Sequence, residues 1–106
     1  MTIKNVTIAG AGVLGSQIAW QTAFHGFEVV VYDKFENGLE EGKERHKKFS
    51  ELFMTTREAT QEEIDATFAR LSYTTNLEEA VKNADLISES VPEILEIKKS
   101  FYIELA

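Results

Sequence analysis

The feature that most narrows what this chain can fold into is Gly10-Ala11-Gly12-Val13-Leu14-Gly15, together with its setting. The six residues fit the spacing G-x-G-x-x-G, a weak signal when it stands alone. Here it follows a β-branched run, Asn5-Val6-Thr7-Ile8-Ala9, that reads as a buried parallel strand. Past the glycines the apolar period becomes helical. Gly15, Ile18, Ala19, Thr22 and Ala23 share one face, small enough to lie close against a sheet. Gly26 stops that helix, and Glu28-Val29-Val30-Val31-Tyr32-Asp33 forms a second buried-strand run. A strand, a helix and a strand with tight connections make one βαβ unit.

Each part of the motif has a chemical reason. Gly10 permits a sharp turn out of the strand, Gly12 lets the backbone approach a pyrophosphate, and Gly15 lets the helix pack tightly on the sheet. The helix N-terminus presents unpaired N–H groups and the positive end of its dipole, so a diphosphate is held without any cluster of basic side chains. Asp33 closes the second strand 18 residues after Gly15. Its carboxylate is placed to accept from both hydroxyls of an adenosine ribose and to repel a 2′-phosphate, which favours NAD over NADP. The adjacent Lys34 softens that discrimination. FAD sites and methyltransferase adenosine sites share this plan, and so does a plain glycine turn in an unrelated βαβ unit.

The rest of the chain extends the same architecture. Phe35, Leu39, Gly42, His46, Phe49 and Phe53 step along one stripe of a highly charged helix, with the aromatic residues expected in the core. Trp20 falls off the sheet-facing stripe of the first helix and is expected to pack on a neighbouring domain. Thr60-Gln61-Glu62-Glu63 and Asn76-Leu77-Glu78-Glu79 have the form of capping boxes and open two short helices. Residues 71–75 and 84–89 read as strands three and four, and a last helix follows Ser90-Val91-Pro92-Glu93. The expected fold is α/β: a Rossmann-type parallel sheet in the order 3-2-1-4 with helices on both faces. Residues 1–106 then form an incomplete domain that ends after the fourth strand and its helix.

Composition restricts the partners. Eighteen acidic residues against 11 basic ones give a net charge of −7, which argues against nucleic acid and anionic membranes. No apolar run approaches the ~20 residues of a membrane span. The absence of cysteine excludes disulfides and thiolate chemistry. Glu36, Glu40, Glu41 and Glu44 alternate with lysines on a solvated helix face, so no metal site is expected. A cytoplasmic location with a small-molecule ligand fits these properties.

Two segments point further. Val6 to Ala19 around the glycine turn, and Ala84-Asp85-Leu86-Ile87-Ser88-Glu89-Ser90-Val91-Pro92-Glu93 continuing to Lys98-Lys99, together resemble the 3-hydroxyacyl-CoA dehydrogenase family. Val91-Pro92-Glu93 and Gly12-Val13-Leu14-Gly15 are also similar to relatives that act on other substrates, L-gulonate 3-dehydrogenase and diketoreductases among them. The resemblance covers nearly the whole chain but only the first third of a family member. It implies pyrophosphate binding at Gly10, Ala11, Gly12, Val13, Leu14 and Gly15, and adenosine ribose on Asp33 beside Lys34. It also implies Val91 in the cofactor groove, with Glu93 and Lys98 beside the nicotinamide. Read from the residues alone, Glu93 equally completes a capping box with Ser90.

The family's catalytic His–Glu pair, with its assisting Ser and Asn, lies beyond the stretch matched here. His25, before the helix stop, reads as a surface residue at a helix C-terminus, and His46 as a half-buried packing residue. No catalytic residue is therefore assigned. The expected role is to hold NAD for oxidation of a 3-hydroxyacyl-CoA. The alternatives are a sugar-acid or diketone reductase and a non-catalytic NAD-sensing module. An unpaired fourth strand at the sheet edge predicts self-association, hence a homo-oligomer.

Overall fold

The structure, a computed structural model, describes residues 3–89. The positions expected at Val91, Glu93 and Lys98, and the last helix, lie outside the described residues. The elements run β1 (Asn5–Ala9), α1 (Val13–Phe24), β2 (Glu28–Tyr32), α2 (Glu36–Thr56), α3 (Gln61–Arg70), β3 (Leu71–Thr74), α4 (Leu77–Val81) and β4 (Leu86–Glu89). The strands pair in parallel in the order β3-β2-β1-β4, as the sequence predicts. In register, Ile8 lies beside Val31 on one side and Ser88 on the other. β4 begins two residues later than predicted, although Asp85 still joins β1: its N–H donates to Asn5 O at 2.7 Å and its carboxylate accepts the Lys4 and Asn5 N–H groups.

Alternation along β1 sends side chains to two layers. Val6 and Ile8 join Val29, Val31, Ala19, Trp20 and Ala23 in the main core under α1, α2 and α3. Thr7 faces the other way, where its hydroxyl donates to the Ala80 carbonyl of α4. Helices therefore cover both faces. Burying a residue such as Ile8, fully shielded from solvent, contributes roughly 1.5–3 kcal/mol.

Local signals set several element ends. Thr60 caps α3 with both arms of the capping box, Thr60 Oγ1 accepting Glu63 N–H and Glu63 Oε1 accepting Thr60 N–H. At α4, Asn76 Oδ1 accepts Glu79 N–H. Gly26, at φ 103°, closes α1. α2 stops without glycine or proline, and Glu58 instead takes the left-handed region at φ 54°.

Two packing expectations are corrected. Trp20 is 1% exposed. Its ring meets Phe53 and Phe68 edge-on at 5.7 and 5.2 Å, so it fills the seam between α1, α2 and α3 instead of an outer face. Phe35 is 65% exposed, since it sits before the first turn of α2, where the stripe has not yet met the core.

Candidate dinucleotide-binding site

β1 delivers the chain to the turn at its C-terminal end, the edge where ligands of open parallel sheets bind. Gly10 adopts φ 101° and donates its N–H to Tyr32 O at 2.7 Å, tying the turn to the end of β2. Ala11 is buried, Gly12 exposed, and Gly15 buried beneath α1. The Ala11 carbonyl is held inward by two donors, Ser16 Oγ at 3.0 Å and Arg45 Nη1 at 3.0 Å. In a planar trans peptide the next N–H points opposite to the carbonyl, so the Gly12 N–H is aimed outward. A Cβ added at Gly12 would meet nothing within 4 Å; the turn is open on that side.

The mouth of α1 is suited to an anion. Its N-cap is Gly12, no side chain caps it, and its first turn carries no acidic residue. α3 and α4, by contrast, each carry a side-chain cap and two glutamates in the first turn. Twelve residues of helix aim their dipole at this uncapped end. Val13 and Leu14 flank it, 61% and 60% exposed.

Asp33 stands across the turn, directly after β2. Its Oδ2 accepts Ala11 N–H at 3.0 Å and its Oδ1 accepts Phe35 N–H at 2.9 Å. The carboxylate thus fixes the glycine turn while bordering a cleft of about 440 Å³ lined also by Ala11, Gly12, Phe35, Asn37 and Glu41. Lys34 leaves this cleft and leans over the Phe35 ring at 5.9 Å. The uncapped mouth of α1 offers donors and Asp33 an acceptor beside one cleft, a combination whose chemistry suits a dinucleotide.

α2 approaches the turn through glycine. A Cβ at Gly42 would lie 3.3 Å from Ala11 Cβ and 3.5 Å from Ser16 Oγ. One turn further along α2, His46 is completely buried. Its Nε2–H donates to Ser16 O at 3.0 Å, which leaves Nδ1 bare to accept the Tyr73 hydroxyl. Burial lowers the His46 pKa from 6.5, with the Arg45 charge adding to the drop and the Ser16 carbonyl opposing it. Burial likewise pushes the Tyr73 hydroxyl up to about 12. His46 is thus a neutral, hydrogen-bonded strut, where half-buried packing was expected.

Sequence reasoning placed the glycine turn and Asp33 side by side, and the fold brings them together. It missed Ser16, Arg45 and Gly42, whose roles depend on α2 folding back over the turn. A second groove of about 570 Å³ runs between α1 and α2 from Leu14 to Arg57 and is floored by Trp20 and Phe53. Among the described residues no group of three or more His, Asp or Glu is placed to hold a metal ion. Glu40, Glu41 and Glu44 pair instead with Lys43, Arg45 and Lys47.

Comparison with known proteins bears on the same features. The family model described as 3-hydroxyacyl-CoA dehydrogenase, NAD binding domain, matches residues 5–106. A probable 3-hydroxybutyryl-CoA dehydrogenase of Bacillus subtilis is 34% identical over 102 residues, 96% of this chain and 35% of the relative. The mitochondrial hydroxyacyl-coenzyme A dehydrogenase of Rattus norvegicus is 33% identical over 112 residues, 97% of this chain and 34% of the relative. The chain thus spans about a third of the length of these relatives. Among solved structures, a diketoreductase superposes with a TM-score of 0.88 at 42% identity, covering 99% of this chain and 38% of the other. The 3-hydroxybutyryl-CoA dehydrogenase of Escherichia coli K12 gives 0.90 at 30% identity, covering 99% and 22%. The open glycine turn, the carboxylate facing it and these matches lead to one assignment: the chain belongs to the 3-hydroxyacyl-CoA dehydrogenase family, as its NAD-binding domain.

Proposed function

We propose that this chain is the cofactor-holding part of an oxidoreductase that moves a hydride between NAD and the 3-hydroxy group of a 3-hydroxyacyl-CoA. Residues 1–106 are read as an incomplete Rossmann domain. The carrying observation is the pairing of outward-facing amides at Gly12 and the α1 mouth with the Asp33 carboxylate, 3.0 Å from the Ala11 N–H. Bound NAD supplies the hydride acceptor. The segment from Gly10 to Gly15 grips the diphosphate, with Gly12, Val13 and Leu14 at its mouth. Asp33 accepts from the adenosine ribose, and Lys34 stays at the rim. Val91, Glu93 and Lys98 are assigned to the nicotinamide half by resemblance.

No catalytic residue is assigned within the chain. His46 has both ring nitrogens engaged inside the core, and His25 binds Gln21 O at the opposite end of α1. Proton transfer then belongs to a part of the enzyme outside this chain, and the chain alone should not turn over substrate. Both the homo-oligomer, paired through the β4 edge where Leu86 is 49% exposed, and the cytoplasmic location belong to this proposal.

The likeness to a diketoreductase at 42% identity favours a second reading, reduction of a dicarbonyl substrate that carries no CoA. Activity of the whole enzyme on acetoacetyl-CoA against a free diketo ester separates the two. Turnover of neither would support the NAD-sensing alternative. The cofactor reading is tested by titrating NAD and NADP into wild type and Asp33→Ala. Losing hydrogen bonds to a charged acceptor should weaken NAD by about 1.5–3 kcal/mol, roughly 10- to 150-fold, and erase the preference over NADP. Unchanged NAD affinity would refute the ribose assignment.

A further inference from the structure

We propose that Gly38 is a positioning residue for cofactor selectivity: the missing side chain in the first turn of α2 makes the seat that holds the Asp33 carboxylate against the ribose. The proposal rests on the reading of Asp33 as the ribose acceptor. A Cβ built on Gly38 would stand 2.6 Å from Asp33 Cγ and Oδ2 and 2.8 Å from Oδ1, closer than non-bonded atoms approach. The carboxylate has no free direction in which to yield. Its Oδ2 is tied to the Ala11 N–H and its Oδ1 to the Phe35 N–H. A side chain at position 38 therefore forces the carboxylate to shift, straining those two bonds and changing its place in the cleft.

The backbone gives Gly38 no other reason to be glycine. Only Gly10 and Gly26 among the described glycines hold positive φ, whereas Gly38 lies inside a helix, where alanine is the more stable residue. Alanine at this position therefore gains helix propensity but strains the bonds that Asp33 makes to the Ala11 and Phe35 N–H groups. It relieves the entropic penalty of a helical glycine while spoiling the geometry of the acceptor. Gly38 also borders the cleft that Asp33, Ala11 and Gly12 share, so the effect is felt where the ribose sits.

The test is calorimetric titration of NAD and of NADP into wild type, Gly38→Ala, Asp33→Ala and the double variant, with Tm recorded for each. Gly38→Ala should weaken NAD about tenfold or more, weaken NADP less, and lower Tm no further than Asp33→Ala does, since both act on the same two bonds. In the double variant Gly38→Ala should add nothing to the loss from Asp33→Ala, because both act through one carboxylate. In amide NMR spectra the Ala11 and Phe35 N–H signals should move in Gly38→Ala. Intact NAD affinity, equal loss of NAD and NADP, additive losses, or failure of Gly38→Ala to fold would each overturn the proposal. If Asp33→Ala leaves NAD affinity intact, the ribose reading itself fails; if Asp33→Ala weakens NAD and Gly38→Ala does not, the role of Gly38 alone fails.

Discussion

Acidification should loosen this fold through one side chain, His46, and His46→Gln should remove the effect. The ring is completely buried between Trp20, Phe49 and Tyr73, and burial holds its pKa below the ordinary 6.5. The folded state therefore keeps the neutral ring at a pH where the unfolded chain has taken up a proton. Stability is fully present above pH 6.5 and is lost as pH falls from there toward the folded value. Each pH unit in that window removes up to about 1.4 kcal/mol. In a domain of this size ~1 kcal/mol corresponds to a Tm change of about 4–8 °C. Glutamine can keep both bonds, donating its amide N–H to Ser16 O and accepting the Tyr73 hydroxyl, without a titrating proton. The assay is urea unfolding from pH 8 to pH 5, followed by Trp20 fluorescence. The wild-type midpoint should fall over that range and the His46→Gln midpoint should fall much less. The exposed His25 is present in both proteins and serves as an internal control. Equal slopes in the two proteins, or a flat wild-type profile, would refute the reasoning. Because Ser16 also holds the Ala11 carbonyl, NAD affinity should decline along with stability.

Two further outcomes test the local structure. Glu58 holds φ 54° after the last turn of α2, so Glu58→Gly should stabilise the fold by about 1 kcal/mol, read as a higher urea midpoint; a lower one would show that the side chain matters more than the strain. The Asp85 carboxylate is held below its ordinary 3.8 by the Lys4 N–H and then the Asn5 N–H, so its contribution is present above that value and lost as pH falls through the folded one. Asp85→Asn should lower Tm at pH 7, and the deficit should shrink as pH falls below 3.8; a deficit that stays constant with pH would contradict the charge-based account.

The order of strands and the site's two principal parts were legible because each is encoded locally. A β-branched run beside glycines specifies β1 and its turn, the Val29-Val30-Val31 run specifies β2, and Asp33 follows from where that strand ends. Thr60 and Glu63 announce α3 three residues apart, since the capping box closes within one turn. Periodicity could place Leu39, Gly42, His46 and Phe53 on one buried stripe, but not say what they touch. It failed at Trp20, whose stripe is buried by α2 and α3 as well as by the sheet.

What the sequence alone determined is a βαβ unit with a bare helix mouth facing a carboxylate, because turn, strand and dipole are properties of neighbouring residues. Tertiary structure alone decided how that carboxylate and turn are held. Arg45 reaches Ala11 across 34 positions, His46 reaches Tyr73 across 27, and Gly38 makes room for Asp33 only because α2 folds back over the end of β2. Such contacts are set by where helices come to rest on a sheet, and no periodicity along the chain records them.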